Sequence, residues 1–287
     1  TSAARDDMAA TIRYWTPSRM RSAKPLGTST EPGSAHRAND LALAQGQANL
    51  QANLATASYA TVPDATAPPY PVIGRLFVKQ GPLNGYCSGT AINSVTRQLV
   101  LTAGHCVNSG PLDRRRRSHW SQRLLFVPEY TNGLAPLGVF VARHAAVFAP
   151  KPWVRRGNPN FDLGAFLTLP NANGQNVADA VGGGASIVLN QNRRQQFQTF
   201  GYPGSSRQLQ ECDSSYTGDD SITYRLPGPP TMAIDCRWRP GASGGGWLID
   251  GGAAIDGLTT YSVRGDTTHT FGPYFASGNV GRLVAGL

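Results

Sequence analysis

The chain has 287 residues, 40% of them hydrophobic, and a formal net charge of +9. That length supports one large or two small domains with full cores, and the absence of any run of about 18 apolar residues excludes a membrane-spanning helix. The charge is uneven, since residues 71–160 carry 12 Lys/Arg against 2 Asp/Glu while residues 161–287 carry 8 against 10.

A basic face attracts acidic polymers, acidic proteins or anionic surfaces, but charge by itself names no partner. The four cysteines are Cys87, Cys106, Cys212 and Cys236. None forms a CxxC pair, which argues against a zinc or thioredoxin-type site. An even number in a Gly- and Ser/Thr-rich chain predicts two disulfides and an oxidising compartment, with three pairings open. The start shows no signal-peptide apolar core, so any secretory leader is expected to have been removed or to lie outside this numbering.

Residues 1–70 have their own texture, rich in Ala, Thr, Ser, Asn and Gln. Tyr14-Trp15-Thr16-Pro17 is a small aromatic island. Leu43, Leu50 and Leu54 could share a helical face, which Gly46 weakens. Pro63 and Pro68-Pro69-Tyr70-Pro71 read as a stiff linker. The segment is expected to be an irregular N-terminal extension or pro-segment.

From Val72 onwards short strands follow at close spacing, separated by Gly, Pro and Asn turns. The predicted strands are Val72–Val78, Gly89–Ile92, Leu99–Thr102, Ser186–Leu189, Phe197–Phe200, Ile222–Tyr224, Met232–Ile234, Trp247–Ile249, Ala254–Thr260 and Thr270–Phe275. Asn279 is expected to cap a short terminal helix with Val280, Leu283, Val284 and Leu287 on one face. The pattern is all-β, a barrel or sandwich.

Three stretches carry chemistry. Gly241-Ala242-Ser243-Gly244-Gly245-Gly246-Trp247 places a serine in a turn of small residues ahead of a buried strand. Such backbone bends tightly and approaches a ligand closely. A serine hydroxyl needs a base to become nucleophilic, and histidine suits that role near neutral pH. Of five histidines, only His105 follows a strand-like run and neighbours a cysteine. A carboxylate must orient the imidazole. Asp162 precedes the apolar Leu163–Leu167, whereas Asp113 and Asp179 lie in polar segments. The N–H groups of Gly241 and Ser243 would receive an oxyanion. Thr259, Thr260 and Tyr261 would pair with substrate backbone by β-augmentation.

The order His105, Asp162, Ser243 with these flanks resembles the trypsin/chymotrypsin-like serine peptidases. The resemblance is closer to a secreted bacterial branch that includes glutamyl endopeptidases and actinobacterial relatives. It covers roughly residues 71–287 and rests on Cys87–Ala91, Thr102–Cys106, Phe126–Pro128, the Asp162 motif, Gly201–Gly204 and Asp235-Cys236. It implies two perpendicular antiparallel β-barrels, residues 71–172 with His105 and Asp162 and residues 173–287 with Ser243 and the terminal helix. It also implies the disulfides Cys87–Cys106 and Cys212–Cys236, secretion, a protein or peptide substrate, a monomer, and turnover without metal or cofactor.

Three positions differ from the better-known relatives, the first being Gly246, which stands where the family often has Pro after the serine and two glycines. Ala242 stands where the digestive enzymes carry a carboxylate that receives a new N-terminal amine, so that activation switch is absent. Arg237 stands six residues before the serine, where trypsin-type pockets carry an Asp. His269 could approach the substrate strand. The run Arg114–Arg117 reads as a solvated loop, and no nucleic-acid fold signature accompanies it. The rival expectation is a catalytically idle binding protein of the same fold that uses its basic face.

Overall fold

The computed structural model describes residues 2–30, 59–112, 117–204, 206–220, 223–263 and 265–287. The Leu43–Leu54 helical face and Arg114–Arg116 lie outside the described residues.

Among the described residues of the N-terminal extension, 2–30 and 59–70, two helices and three short strands are formed. Helix α1 spans Ser2–Tyr14 and α2 spans Pro17–Ser22. Thr16 caps α2, accepting from the Arg19 N–H, with Pro17 in the first position where its missing N–H costs nothing. Order here comes from docking. Trp15 is buried, its ring centroid 5.5 Å from that of Phe77, and its Nε1–H donates to the Arg123 carbonyl at 2.5 Å. Tyr14 donates to Asn84 at 2.6 Å, and Asp7 pairs with Arg123 at 3.1 Å. Three short strands follow: β1 (Lys24–Pro25), β2 (Thr28–Thr30) and β3 (Ala60–Thr61).

The first barrel is built from β4 (Ile73–Gln80), β5 (Leu83–Ala91), β6 (Leu99–Thr102), β7 (Gln122–Pro128), β8 (Phe140–Phe148) and β9 (Gly164–Thr168). The pairing order is β5-β4-β7-β8-β9-β6, and β6 pairs with β5 to close the ring. Closure runs through Thr90 and Ala91, and the other end of β5 keeps a free edge on which β1 pairs. Leu76, Val100, Phe126, Phe140 and Phe166 fill its interior, while Phe77, next to Leu76, faces outward. Helix α3 (Gly104–Val107) follows β6, and α4 (Lys151–Arg156) follows β8. The mid-strand Arg143–Ala145 of β8 is exposed, and Ala145 has a positive φ of 61°, so β8 breaks the alternation that marks a strand in sequence.

After α5 (Val177–Ala180) comes the second sheet. It holds β10 (Ser186–Ile187), β11 (Gln196–Gly201), β12 (Gln210–Asp219), β13 (Met232–Ile234), β14 (Gly246–Ile249), β15 (Ala254–Leu258), β16 (Tyr261–Val263) and β17 (Thr270–Gly272). Their order is β10-β15-β14-β11-β12-β13-β17-β16, and β2 adds to the β16 edge. The architecture is the all-β, two-barrel arrangement that the strand pattern and the resemblance imply. Trp247 is fully buried and packs on Phe197, with ring centroids 5.6 Å apart. Among the described residues, no helix is long and apolar enough to cross a membrane.

Two local expectations are corrected. Thr223–Arg225 is a 3-10 turn rather than part of a strand. The Thr223 hydroxyl donates to the Asp220 carbonyl at 2.9 Å and accepts the Thr231 N–H at 3.0 Å, which closes a loop. The C-terminal helical turn begins at Ser277 as a π-turn and continues into α6 (Arg282–Val284). Asn279 lies inside it, and its Oδ1 accepts from Ala276 N–H at 2.9 Å, so it closes the turn from within instead of capping from outside.

Both disulfides are formed, Cys87–Cys106 and Cys212–Cys236. The first closes a loop of sequence separation 19. Replacing Cys87 and Cys106 together by alanine is expected to cost about 3 kcal/mol, read as a lower urea midpoint with an unchanged core signal.

Asp256 in β15 is buried, and burial pushes its carboxyl up to about 7 against hydrogen bonding from Gln195 and the charge of Arg193. A carboxyl raised in the folded state binds its proton more tightly there. It therefore adds stability below its unfolded value near 3.8 and loses it as pH rises towards 7. Asp256→Asn is expected to flatten the decline in stability between about pH 4 and pH 7 in denaturant titrations.

Candidate active site

His105 is the second residue of α3, directly after β6, and its position is fixed from both sides. Cys106 is bonded to Cys87 in β5. The His105 N–H donates to Asp162 Oδ1 at 2.8 Å, and its Nδ1 lies 2.9 Å from Asp162 Oδ2. One carboxylate thus grips both the backbone and the ring. Asp162 can approach so closely because the neighbouring residue is Gly104, where a Cβ would lie 2.9 Å from Oδ1. Asp162 closes the 3-10 turn Pro159–Phe161, which Asn158 caps by accepting from the Asn160 N–H at 3.0 Å. The Asn160 amide reaches across to the carbonyls of Thr223 and Pro227, both at 3.2 Å, and ties this loop to the second sheet. His105 and Asp162 are 5% and 1% exposed, and the His105 Nε2 is buried without a partner among the described residues. Asp179 is taken up by Arg97 at the surface, and Asp113 lies outside the described residues.

Ser243 sits in the turn before β14. Gly241 and Gly244 both have positive φ, 97° and 84°, where a side chain is strained. A Cβ on Gly244 would also lie 2.1 Å from Thr102 Oγ1 and 2.4 Å from the Ser88 carbonyl. The turn is held from the first barrel by Ser88 in β5. The Ser88 N–H donates to the Ser243 carbonyl at 2.7 Å, and its hydroxyl donates to the Gly241 carbonyl at 2.9 Å. The same hydroxyl accepts the Tyr202 N–H at 2.9 Å. The Ser243 carbonyl lies 3.8 Å from Cys106 Sγ, one residue from His105. Ser88 belongs to a stretch that matched the family pattern, but nothing in sequence marks it as the bridge.

The expected substrate strand divides. The Thr259 N–H donates to Gly245 at 3.0 Å, its carbonyl accepts from Gly244 at 2.7 Å, and its hydroxyl accepts from Trp247 Nε1 at 3.0 Å. Thr259 therefore positions the serine turn and has no amide left for a peptide. The Thr260 N–H is bonded to Phe271. The edge that carries a peptide segment is Tyr261–Val263, where β2 pairs in parallel, Tyr261 opposite Thr28. Upstream, Lys24 and Pro25 pair in parallel with Gly85 and Tyr86. Between them the Leu26 N–H donates to Tyr86 at 2.9 Å, and its carbonyl accepts the Gly241 N–H at 2.6 Å. The Ser243 hydroxyl lies 3.5 Å from both the Leu26 and Thr260 carbonyls, the outer limit of a hydrogen bond.

Beneath the turn is a buried cation. The Arg75 guanidinium stands 3.7 Å from the Tyr86 ring centre, 4.9 Å from Tyr130 and 5.4 Å from Phe77. Burial lowers its pKa, and the three aromatic faces offset part of that cost. The Tyr86 ring lies under Gly241, 2.7 Å from where a Cβ there would stand.

Arg237 is half-buried, and its Nη1 has no partner among the described residues. His269 is bonded to Asp266 and Thr268, at 2.9 and 2.8 Å. Burial pushes the Asp266 carboxyl up, but hydrogen bonds from the His269 ring and the Thr268 and His269 amides outweigh it and hold the pKa below the carboxylate range. The His269 ring reaches Phe271, which stacks on Tyr261. His105, Cys87 and Cys106 converge, but the two sulfurs are bonded to each other and offer no thiolate to a metal.

No protein-family model and no curated protein matches the chain. Solved structures do. The protease Anisep from Arthrobacter nicotinovorans is 31% identical, with a TM-score of 0.62 over 72% of this chain and 90% of its own. The thermostable serine protease AL20 from an extremophilic microorganism is 28% identical, with a TM-score of 0.63 over 72% and 93%. A Glu endopeptidase shares the fold at 21% identity, with a TM-score of 0.61 over 78% and 93%.

Ser88→Ala is expected to leave the Tyr202 N–H and the Gly241 carbonyl without their buried partner. The cost should be about 2–3 kcal/mol, measured by urea unfolding.

Proposed function

The chain belongs to the bacterial trypsin-like serine proteases, and from that premise we propose that it is a secreted endopeptidase acting through Ser243, His105 and Asp162. The observation that carries the reading is the double grip of Asp162 on His105, whose Nε2 has no partner among the described residues, while the next residue, Cys106, brings its Sγ within 3.8 Å of the Ser243 carbonyl. In this reading His105 takes the Ser243 proton as Oγ adds to the scissile carbonyl. The Gly241 and Ser243 N–H groups receive the oxyanion. His105 then returns the proton to the departing amine, and the C–N bond breaks to leave an acyl-enzyme. Water, deprotonated by the same imidazole, attacks the ester, and the proton goes back to Ser243. Asp162 holds the imidazole in the required tautomer and stabilises its charged form. Secretion is supported by the two disulfides, which persist in oxidising compartments.

The test uses protein from which an unrelated protease has trimmed residues 1–58. A fluorophosphonate probe is expected to label Ser243, and casein to be hydrolysed. Ser243→Ala should lower turnover by a factor on the order of 10⁶, and Asp162→Asn by about 10⁴. A folded chain that never labels is instead a binding protein on this fold.

A further inference from the structure

The segment Lys24–Thr30 crosses the cleft and touches the groups that would handle a scissile peptide. The Leu26 carbonyl fills the place of an oxyanion on the Gly241 N–H at 2.6 Å, and the Ser243 hydroxyl is 3.5 Å from the same oxygen. Thr28–Thr30 occupy the β16 edge. Gly27 lies against Pro240, where a Cβ would stand 2.9 Å from the proline Cβ. A peptide held this way looks like a substrate, except in its direction.

Direction decides the outcome. In an acyl transfer here, the departing nitrogen must reach His105. His105 belongs to the first barrel, bonded to β5 through Cys106 and Cys87. A productive peptide therefore enters along β16 with its acyl side and leaves towards β5 with its amine side. The bound segment runs the other way. Lys24 and Pro25, which precede the Leu26 carbonyl, lie on β5. Thr28–Thr30, which follow it, lie on β16, and the pairing with β16 is parallel. The Leu26–Gly27 nitrogen thus faces the second sheet, away from the imidazole. Attack by Ser243 at this carbonyl has no acid to protonate the amine, so the oxyanion collapses back to the intact peptide bond.

Resting on the serine-endopeptidase reading, we propose that Lys24–Thr30 is a built-in inhibitor that occupies the active-site cleft in reversed polarity, so that it blocks substrate and is not itself cut. Its anchor lies upstream, where Trp15 is buried against Phe77 and bonded to the Arg123 carbonyl. Tethering keeps the segment's effective concentration high without strong contacts in the cleft. Activation is then release of the segment. Ala242 is fully buried and carries no charge to receive a new amine.

The full-length chain is compared with Leu26→Pro, which removes the N–H donated to Tyr86, and with Trp15→Ala, which loosens the anchor and leaves Lys24–Thr30 unaltered in sequence. Fluorophosphonate labelling at Ser243 is expected to be at least tenfold faster in both variants. A synthetic Lys24–Thr30 peptide added to the Leu26→Pro chain should slow it again, and mass spectrometry should find its Leu26–Gly27 bond intact after prolonged incubation. Wild-type labelling as fast as that of both variants overturns the inhibition. Cleavage of the peptide at Leu26–Gly27 at a substrate rate overturns the reversed polarity. If none of the folded proteins labels, and neither does the trimmed chain, the peptidase reading falls and this inference falls with it. Trp15→Ala keeps the test decisive should Leu26→Pro fail to fold.

Discussion

Ser88 makes the join between the two barrels. Its backbone N–H holds the Ser243 carbonyl, and its hydroxyl bridges the Gly241 carbonyl and the Tyr202 N–H. Its own carbonyl accepts from Thr102. These groups are buried, so each must find a partner inside the protein. A turn made of glycines has no side chains with which to anchor itself. Its shape is imposed by Ser88 from one side and by the Thr259 backbone from the other. The serine and the histidine come from different barrels, and the Ser243 carbonyl lies 3.8 Å from the sulfur of Cys106, the residue after His105. The disulfide adds a covalent link from the same strand to the residue after His105.

A layer of aromatic rings lies under this seam. Tyr86 packs beneath Gly241 and over the Arg75 guanidinium, and Phe77 follows, with Trp15 against it. The N-terminal helices are therefore docked on the same cluster that floors the cleft. Docking and occupation of the cleft are two ends of one packed connection. The segment between them, Lys24–Thr30, reaches both barrels through backbone hydrogen bonds on β5 and β16. Backbone pairing places few demands on side chains, which is why composition alone marked these residues as irregular.

Strands were legible where apolar residues carried them. Met232–Ile234 and Leu99–Thr102 are fully buried, and their sequences announce it. β12 was not legible. It is largely polar, Gln210 to Asp219, and it is a strand because β11 and β13 pair with it on either side. β8 was hidden by an exposed middle with a positive φ. Ser88 and Leu26 were missed for a related reason. Their parts are played by carbonyls, amides and one small hydroxyl, which any similar residue could offer in isolation.

The sequence by itself determined the chemistry on offer. One serine among glycines, one histidine beside a cysteine and one aspartate ahead of an apolar strand are residue identities, and identity sets pKa class, nucleophilicity and permitted backbone geometry. It also set the all-β class through the recurrence of short apolar strands, and the family resemblance of its motifs implied the two barrels. The tertiary structure decided which groups face each other. Thr259 holds the serine turn while Tyr261–Val263 forms the open edge, and the direction in which Lys24–Thr30 runs across that edge is fixed only by pairing. Hydrogen bonds between distant backbone segments depend on register and polarity, and every residue except proline supplies the same donor and acceptor, so no local pattern in the chain encodes them.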